Sequence, residues 1–132
     1  MNTRQKIQNV LDRVPRLTNF GMGLCNNATD PLRMAGSRRE LLKNEEQFEK
    51  TCQWLSHIDK RKTINKMSSS YGLKHFVEKT TGYISNGMLI TAAIHCGFDY
   101  KERPNSPNVR FNMCNKSLNK MIQTSQIYPC SL

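Results

Sequence analysis

At 132 residues the chain is one domain by length, and it can bury a core without disulfide or metal staples. Twenty Lys and Arg against ten Asp and Glu give a formal net charge of +10. That charge points to an anionic partner, nucleic acid first and an acidic protein or membrane surface second. No apolar run approaches the ~20 residues that span a bilayer, which argues against a membrane helix.

The expected organisation is a single domain over 1–132. An N-terminal helix and irregular loop fill 1–36. A helical core over 37–132 carries a β-hairpin at about 98–113. In chain order, Thr3 to Val14 reads as an amphipathic helix, with Ile7, Val10, Leu11 and Val14 on one face and Pro15 as its stop. Residues 18–36, "TNFGMGLCNNATDPLRMAG", are rich in glycine and asparagine and read as irregular loop. Ser37 and Glu40 have capping-box spacing. Leu41, Phe48, Cys52 and Leu55 then share a face, which predicts one long helix over 38–58. "DKRKTINK" (59–66) reads as a charged connector. A serine among 68–70 caps the next helix, whose stripe is Leu73, Phe76 and Val77 and whose stop is Gly82. Ser85 caps a helix that runs to about Cys96, where Gly97 followed by Phe98 marks a glycine stop.

Beyond Phe98 the period changes from helical to alternating. Phe98 and Tyr100, then Val109, Phe111 and Met113, alternate with polar residues on either side of "ERPNSPN", which predicts a hairpin. Asn115 or Ser117 caps a last helix bearing Leu118, Met121 and Ile122. The tail "SQIYPCSL" reads as irregular. The fold class expected is mainly α (α+β): a helix-turn-helix-like pair followed by a short β-hairpin, winged-helix-like.

A DNA-reading pair needs a small residue where its helices cross, a turn glycine, and a second helix with a polar face. Gly82 suits the turn. Glu78 does not suit the crossing. In "NGMLITAAIHC" only Asn86, Thr91 and His95 are polar, and neither Arg nor Lys is present to pair with guanine. A helix this apolar all round belongs in the core, so nucleic-acid contact is expected from its neighbours. No Asp or Glu follows Glu102. The expected phosphate-contacting residues are Lys60, Arg61, Lys62, Lys66, Lys74, Lys79, Lys101, Arg103, Arg110 and Lys116, framing one basic face.

The remaining chemistry is sparse. The five cysteines form no CxxC, and the polar start "MNTRQKIQNV" has no secretory apolar segment, so a reduced, cytoplasmic chain is expected. His75, His95 and Cys96 or Cys114 lack any recognised zinc spacing. Cys and His show no elbow or orienting acid for nucleophilic catalysis. Glu45, Glu46 and Glu49 beside Lys43 and Lys50 read as a solvated helix face. We expect no cofactor, no metal and no catalytic residue.

The segment "SSYGLKHFVEK…GYISNGMLITAAIHCGF…SPNVRFNM", roughly residues 68–114, resembles small uncharacterised basic proteins of bacterial plasmids, phages and integrating elements. The resemblance implies a mobile-element origin and assigns no activity. The expected function is therefore a non-enzymatic protein that binds DNA, RNA or a host nucleoprotein complex. The alternative is a protein-binding inhibitor of a host defence complex, of the anti-CRISPR type.

Overall fold

A computed structural model describes residues 1–23 and 30–127, with side chains described to residue 124. Among these residues the chain forms six helices and two small antiparallel sheets: α1 (Thr3–Arg13), β1 (Leu17–Thr18), β2 (Gly21–Met22), α2 (Pro31–Lys43), α3 (Glu45–Leu55), α4 (Ser70–Thr81), α5 (Asn86–His95), β3 (Tyr100–Glu102), β4 (Val109–Phe111) and α6 (Asn115–Ile127). No described helix is long and apolar enough to cross a membrane.

α1 starts at a reciprocal cap: the Asn2 side chain accepts from the Gln5 amide, and Gln5 Oε1 accepts from the Asn2 amide. Ile7, Val10 and Leu11 face the core, and the helix stops before Pro15 as expected.

The first correction falls on residues 18–36. Leu17–Thr18 pairs with Gly21–Met22 in a tight hairpin. α2 begins at Pro31, with Asp30 as N-cap accepting from the Leu32 amide. Proline at the first helical position loses no hydrogen bond. The part of this predicted loop at 24–29 lies outside the described residues. Ser37 therefore sits inside α2 and caps nothing; its hydroxyl accepts from the Asn19 amide at 3.0 Å.

The second correction is the long helix over 38–58, which is two helices. Asn44 breaks it with φ −107° and ψ 54°, ending α2 and opening α3. Its side-chain amide takes the Glu40 carbonyl at 2.7 Å, so the break satisfies an orphan carbonyl at the end of α2. Glu45 and Glu46 then occupy the first turn of α3, where the helix dipole favours carboxylates.

α5 is the central rod. Every residue from Asn86 to Ile94 is buried, and the helix packs on α1, α3, α4 and both strands of the first hairpin. Met88, Leu89 and Ile90 are fully enclosed, each stabilising by about 1.5–3 kcal/mol. Its end has the expected geometry. Gly97, at φ +88°, donates to Ile94 O, and Phe98 donates to Ala93 O. This pairing satisfies the last carbonyls and needs a left-handed residue at position 97. Phe98 is buried behind it.

The second hairpin pairs Tyr100 with Phe111, Lys101 with Arg110 and Glu102 with Val109. Val109 and Phe111 are buried and Arg110 is half-buried, so the alternation read from sequence holds. The connector at 59–66 is no free linker. It runs beside the end of β4: Lys60 bridges Met113, the Arg61 amide donates to Asn112 O, and the Asn65 amide donates to Phe111 O. Ser69 takes the N-cap position of α4 without a side-chain bond. Its neighbours Ser68 and Ser70 accept from the Phe111 and Val109 amides, so the predicted capping serines stitch α4 to β4.

In α6, Asn115 is the first helical residue and the cap position falls on Cys114. Ser117 instead accepts from the Asp59 amide. Residues 125–127 of the predicted irregular tail are helical; the rest of that tail lies outside the described residues.

Candidate nucleic-acid interface

Three segments distant in sequence meet beside the second hairpin. Lys66 ends the connector, Lys101 sits mid-β3 with Arg103 just after the strand, and Arg110 sits mid-β4. Together with Ile64, Glu102 and Pro104 these four cations line a cleft of about 270 Å³. Lys66, Lys101 and Arg103 are exposed, whereas Arg110 is half-buried and its Nε is enclosed without an acceptor among the described residues. Glu102, the acid on this wall, is bonded at 2.6 Å to Arg16. Both partners are well exposed, so the pair adds little stability, but Arg16 offsets the acid's charge. Among the described residues no carboxylate lies within ion-pair distance of the four cleft cations. The cleft is thus a pocket of uncompensated positive charge, suited to an anion that brings its own oxygens.

The other six predicted residues do not line this cleft. The Lys60 ammonium lies 4.8 Å from the Phe98 ring centre. Arg61 donates to Thr63 Oγ1 at 3.0 Å, and Lys62 is exposed on the same connector. Lys74 is half-buried, paired with Glu78 and poised over the Tyr83 ring at 4.9 Å. Lys79 lies over Phe76 at 5.2 Å. Lys116 is exposed on the first turn of α6.

A second concavity lies across the hairpin loop. Asn19 and Phe20 of the β1–β2 turn, Tyr71 and Lys74 of α4, Tyr83, Ser85, Asn86, and Pro107 and Asn108 enclose about 350 Å³. Phe20, Tyr71 and Tyr83 are 43%, 53% and 68% exposed. Its floor is rigid. The Asn86 amide group donates to Phe20 O (3.2 Å) and Asn108 Oδ1 (3.0 Å), Gly87 N donates to Asn19 O (3.1 Å), and Met22 N donates to Pro107 O (2.9 Å). Sequence reasoning missed this pocket. The available signal was the second face of α4, where Tyr71, Lys74 and Glu78 recur at helical spacing opposite Leu73 and Val77.

Two of the histidines make ring contacts. His75 meets Tyr71 edge-on at 4.7 Å, and His95 packs on Phe48 at 5.3 Å. Burial, reinforced by Lys6 and Arg13, holds His95 below the usual imidazole range. No group of three or more His, Cys, Asp or Glu suited to a metal forms among the described residues. Cys52 and Cys96 share a hydrogen bond across α3 and the end of α5, which pushes the Cys52 thiol up and the Cys96 thiol down. The Ser117 and Lys116 amides lower Cys114 at the start of α6, as helix N-termini do for thiolates. Alkylation of the folded protein at pH 7, read by peptide mass spectrometry, is therefore expected to modify Cys114 ahead of Cys52. The reactivity of Cys114 should level off at lower pH than that of a free thiol, and unfolding should erase the order. Equal labelling of the two residues in the native state would contradict this.

No family model matches the chain, and neither a curated protein nor a solved structure matches it. The geometry itself defines a class: a mainly helical, strongly basic protein with an uncompensated cationic cleft beside an aromatic pocket.

Proposed function

We propose that the protein binds nucleic acid without catalysing a reaction on it, mainly through phosphate contacts at the cleft beside β3 and β4. The observation that carries this reading is the meeting of Lys66, Lys101, Arg103 and Arg110 in one cleft, with no carboxylate within ion-pair distance of any of them among the described residues. In this reading the hairpin plays the part of a wing, while α5, buried along its length, stays out of any groove. Cations aimed at phosphates give affinity with little sequence preference.

Fluorescence anisotropy over a salt series tests the proposal. Four phosphate contacts, each contributing roughly 0.7–0.9 to the slope, predict that log K falls with log salt at about −3, or about 100-fold between roughly 50 and 200 mM. The Lys101→Glu/Arg103→Glu double variant should weaken binding at least about 10-fold and flatten the slope. Lys43→Glu/Lys50→Glu alters cations already paired to Glu40 and Glu46 and should change little. Binding that ignores salt, or none at low salt, would refute the proposal.

A further inference from the structure

We infer that the pocket formed by Phe20, Tyr71, Lys74, Tyr83, Asn86 and Asn108 takes an unpaired nucleobase, so that the protein holds single-stranded nucleic acid in preference to a duplex. This inference rests on the phosphate-binding reading and deepens it.

Three lines of structure converge on it. First, three aromatic side chains are left open around one concavity. Aromatic faces presented this way are the stacking platforms that single-strand binders use, and they tolerate any base because every base has a π-face. At about 350 Å³ the pocket lies at the small end of ligand sites, which run to roughly 300–1,000 Å³. That is room for a flat heterocycle and its sugar, and a stacked base pair in a duplex cannot enter it.

Second, the pocket and the cationic cleft share one loop. Arg103 and Pro104 line the cleft, whereas Pro107 and Asn108 line the pocket. A strand crossing this loop lays phosphates against Lys101 and Arg103 and turns a base toward Tyr83. Lys74 is not the phosphate ligand here: its charge is met by Glu78, and it stands over Tyr83, so it fixes the ring that the base would stack on.

Third, the wall is preorganised and polar at its base. Gly21 and Gly87 admit the close approach of the β1–β2 turn, Pro107 and α5, since a Cβ on either would lie within 2.4 Å of a backbone oxygen. Asn86 is 7% exposed, and its Oδ1 has no donor among the described residues. That oxygen is enclosed, so a base edge would meet the polar groups that line the pocket beside it, those of Asn19, Ser85 and Asn108. An aromatic-lined groove also suits a proline-rich peptide. The +10 charge and the shared loop favour the base.

The test compares three probes of equal phosphate count by anisotropy at low salt: a single-stranded oligothymidylate of roughly a dozen nucleotides, matching the site size of small single-strand binders, an abasic strand of the same length, and a duplex. Wild-type protein should prefer the oligothymidylate over both by about 10-fold or more. Tyr83→Ala and Phe20→Ala should lower oligothymidylate affinity about 5- to 100-fold. Each should leave the abasic strand and the duplex within about two-fold, and Tyr83→Phe should restore binding. Tyr83 is 68% exposed, so circular dichroism of the alanine variant should match wild type. Equal affinity for the thymidylate and abasic strands, with no effect of Tyr83→Ala, overturns the base pocket and leaves the phosphate reading standing. Failure of all three probes to bind overturns both.

Discussion

Gly87→Ala should unfold the protein or destabilise it by about 3 kcal/mol or more, as overpacking against unyielding backbone does. A Cβ at position 87 would lie 1.8 Å from Thr18 O and 2.8 Å from Asn19 C. Neither is the tip of a flexible side chain that could swing aside. To admit the methyl group, the β1–β2 turn must lift from the start of α5. That movement breaks the Gly87–Asn19 hydrogen bond and opens a rod that is otherwise sealed. Helix propensity alone argues the opposite way, because alanine is favoured over glycine inside a helix by about 1 kcal/mol. Gly72 supplies the control. It is exposed in α4, and a Cβ there meets nothing within 4 Å, so Gly72→Ala should stabilise by about 0.5–1 kcal/mol. Urea melts of the two variants should therefore move in opposite directions. A Gly87→Ala protein as stable as wild type would mean that the turn does not rest on α5.

Arg38→Ala should lower stability by about 2–4 kcal/mol, since it strips a charge-assisted donor from several half-buried carbonyls at once. Its guanidinium bonds Leu11 O at 2.7 Å, Val14 O at 3.0 Å, Pro15 O at 2.9 Å and Leu17 O at 2.9 Å. One side chain thus closes the end of α1, where the helix dipole also favours a cation, and holds the chain as it turns into the first hairpin. Burial draws the Arg38 pKa down and Asp12 opposes that shift; an arginine keeps its charge regardless. Arg38→Lys should recover only part of the loss, because an ammonium cannot reproduce the planar fork. Thermal melts of both variants check this, and a loss under about 0.5 kcal/mol for the alanine variant would refute it.

Much of the architecture could be read from residue patterns. "NGMLITAAI" has almost no polar face, and its burial follows. The alternation around "ERPNSPN" marks the hairpin, and Gly97 marks the stop of α5. The errors have identifiable causes. The apolar pattern Leu41, Phe48, Cys52, Leu55 continues in phase across Asn44, because both helices face the same core, so periodicity hides a break that only the backbone angles of one residue reveal. Asp30–Pro31 is a sound helix start, but the glycines and asparagines before it favoured a loop reading. Strands of two residues are too short for any period to show.

Net charge alone led to the expectation of an anion-facing surface, and it could not say which cations meet, because that depends on how the hairpin folds beside residues 64–66. Lys74 and Lys79 look free in sequence and prove engaged, by Glu78 and Tyr83 and by Phe76. Arg16 was not singled out, although it offsets the acid that would have weakened the cleft. The three open aromatics escaped notice because exposure is a property of the assembled fold.

The segment from Lys60 to Ser70 lies along the margin of β4 that β3 leaves uncovered. That margin is where a second polypeptide would otherwise dock, extending the ribbon from molecule to molecule. With that margin sealed from within, the edge this sheet leaves open is that of β3 alone, and like charges on neighbouring molecules oppose pairing there.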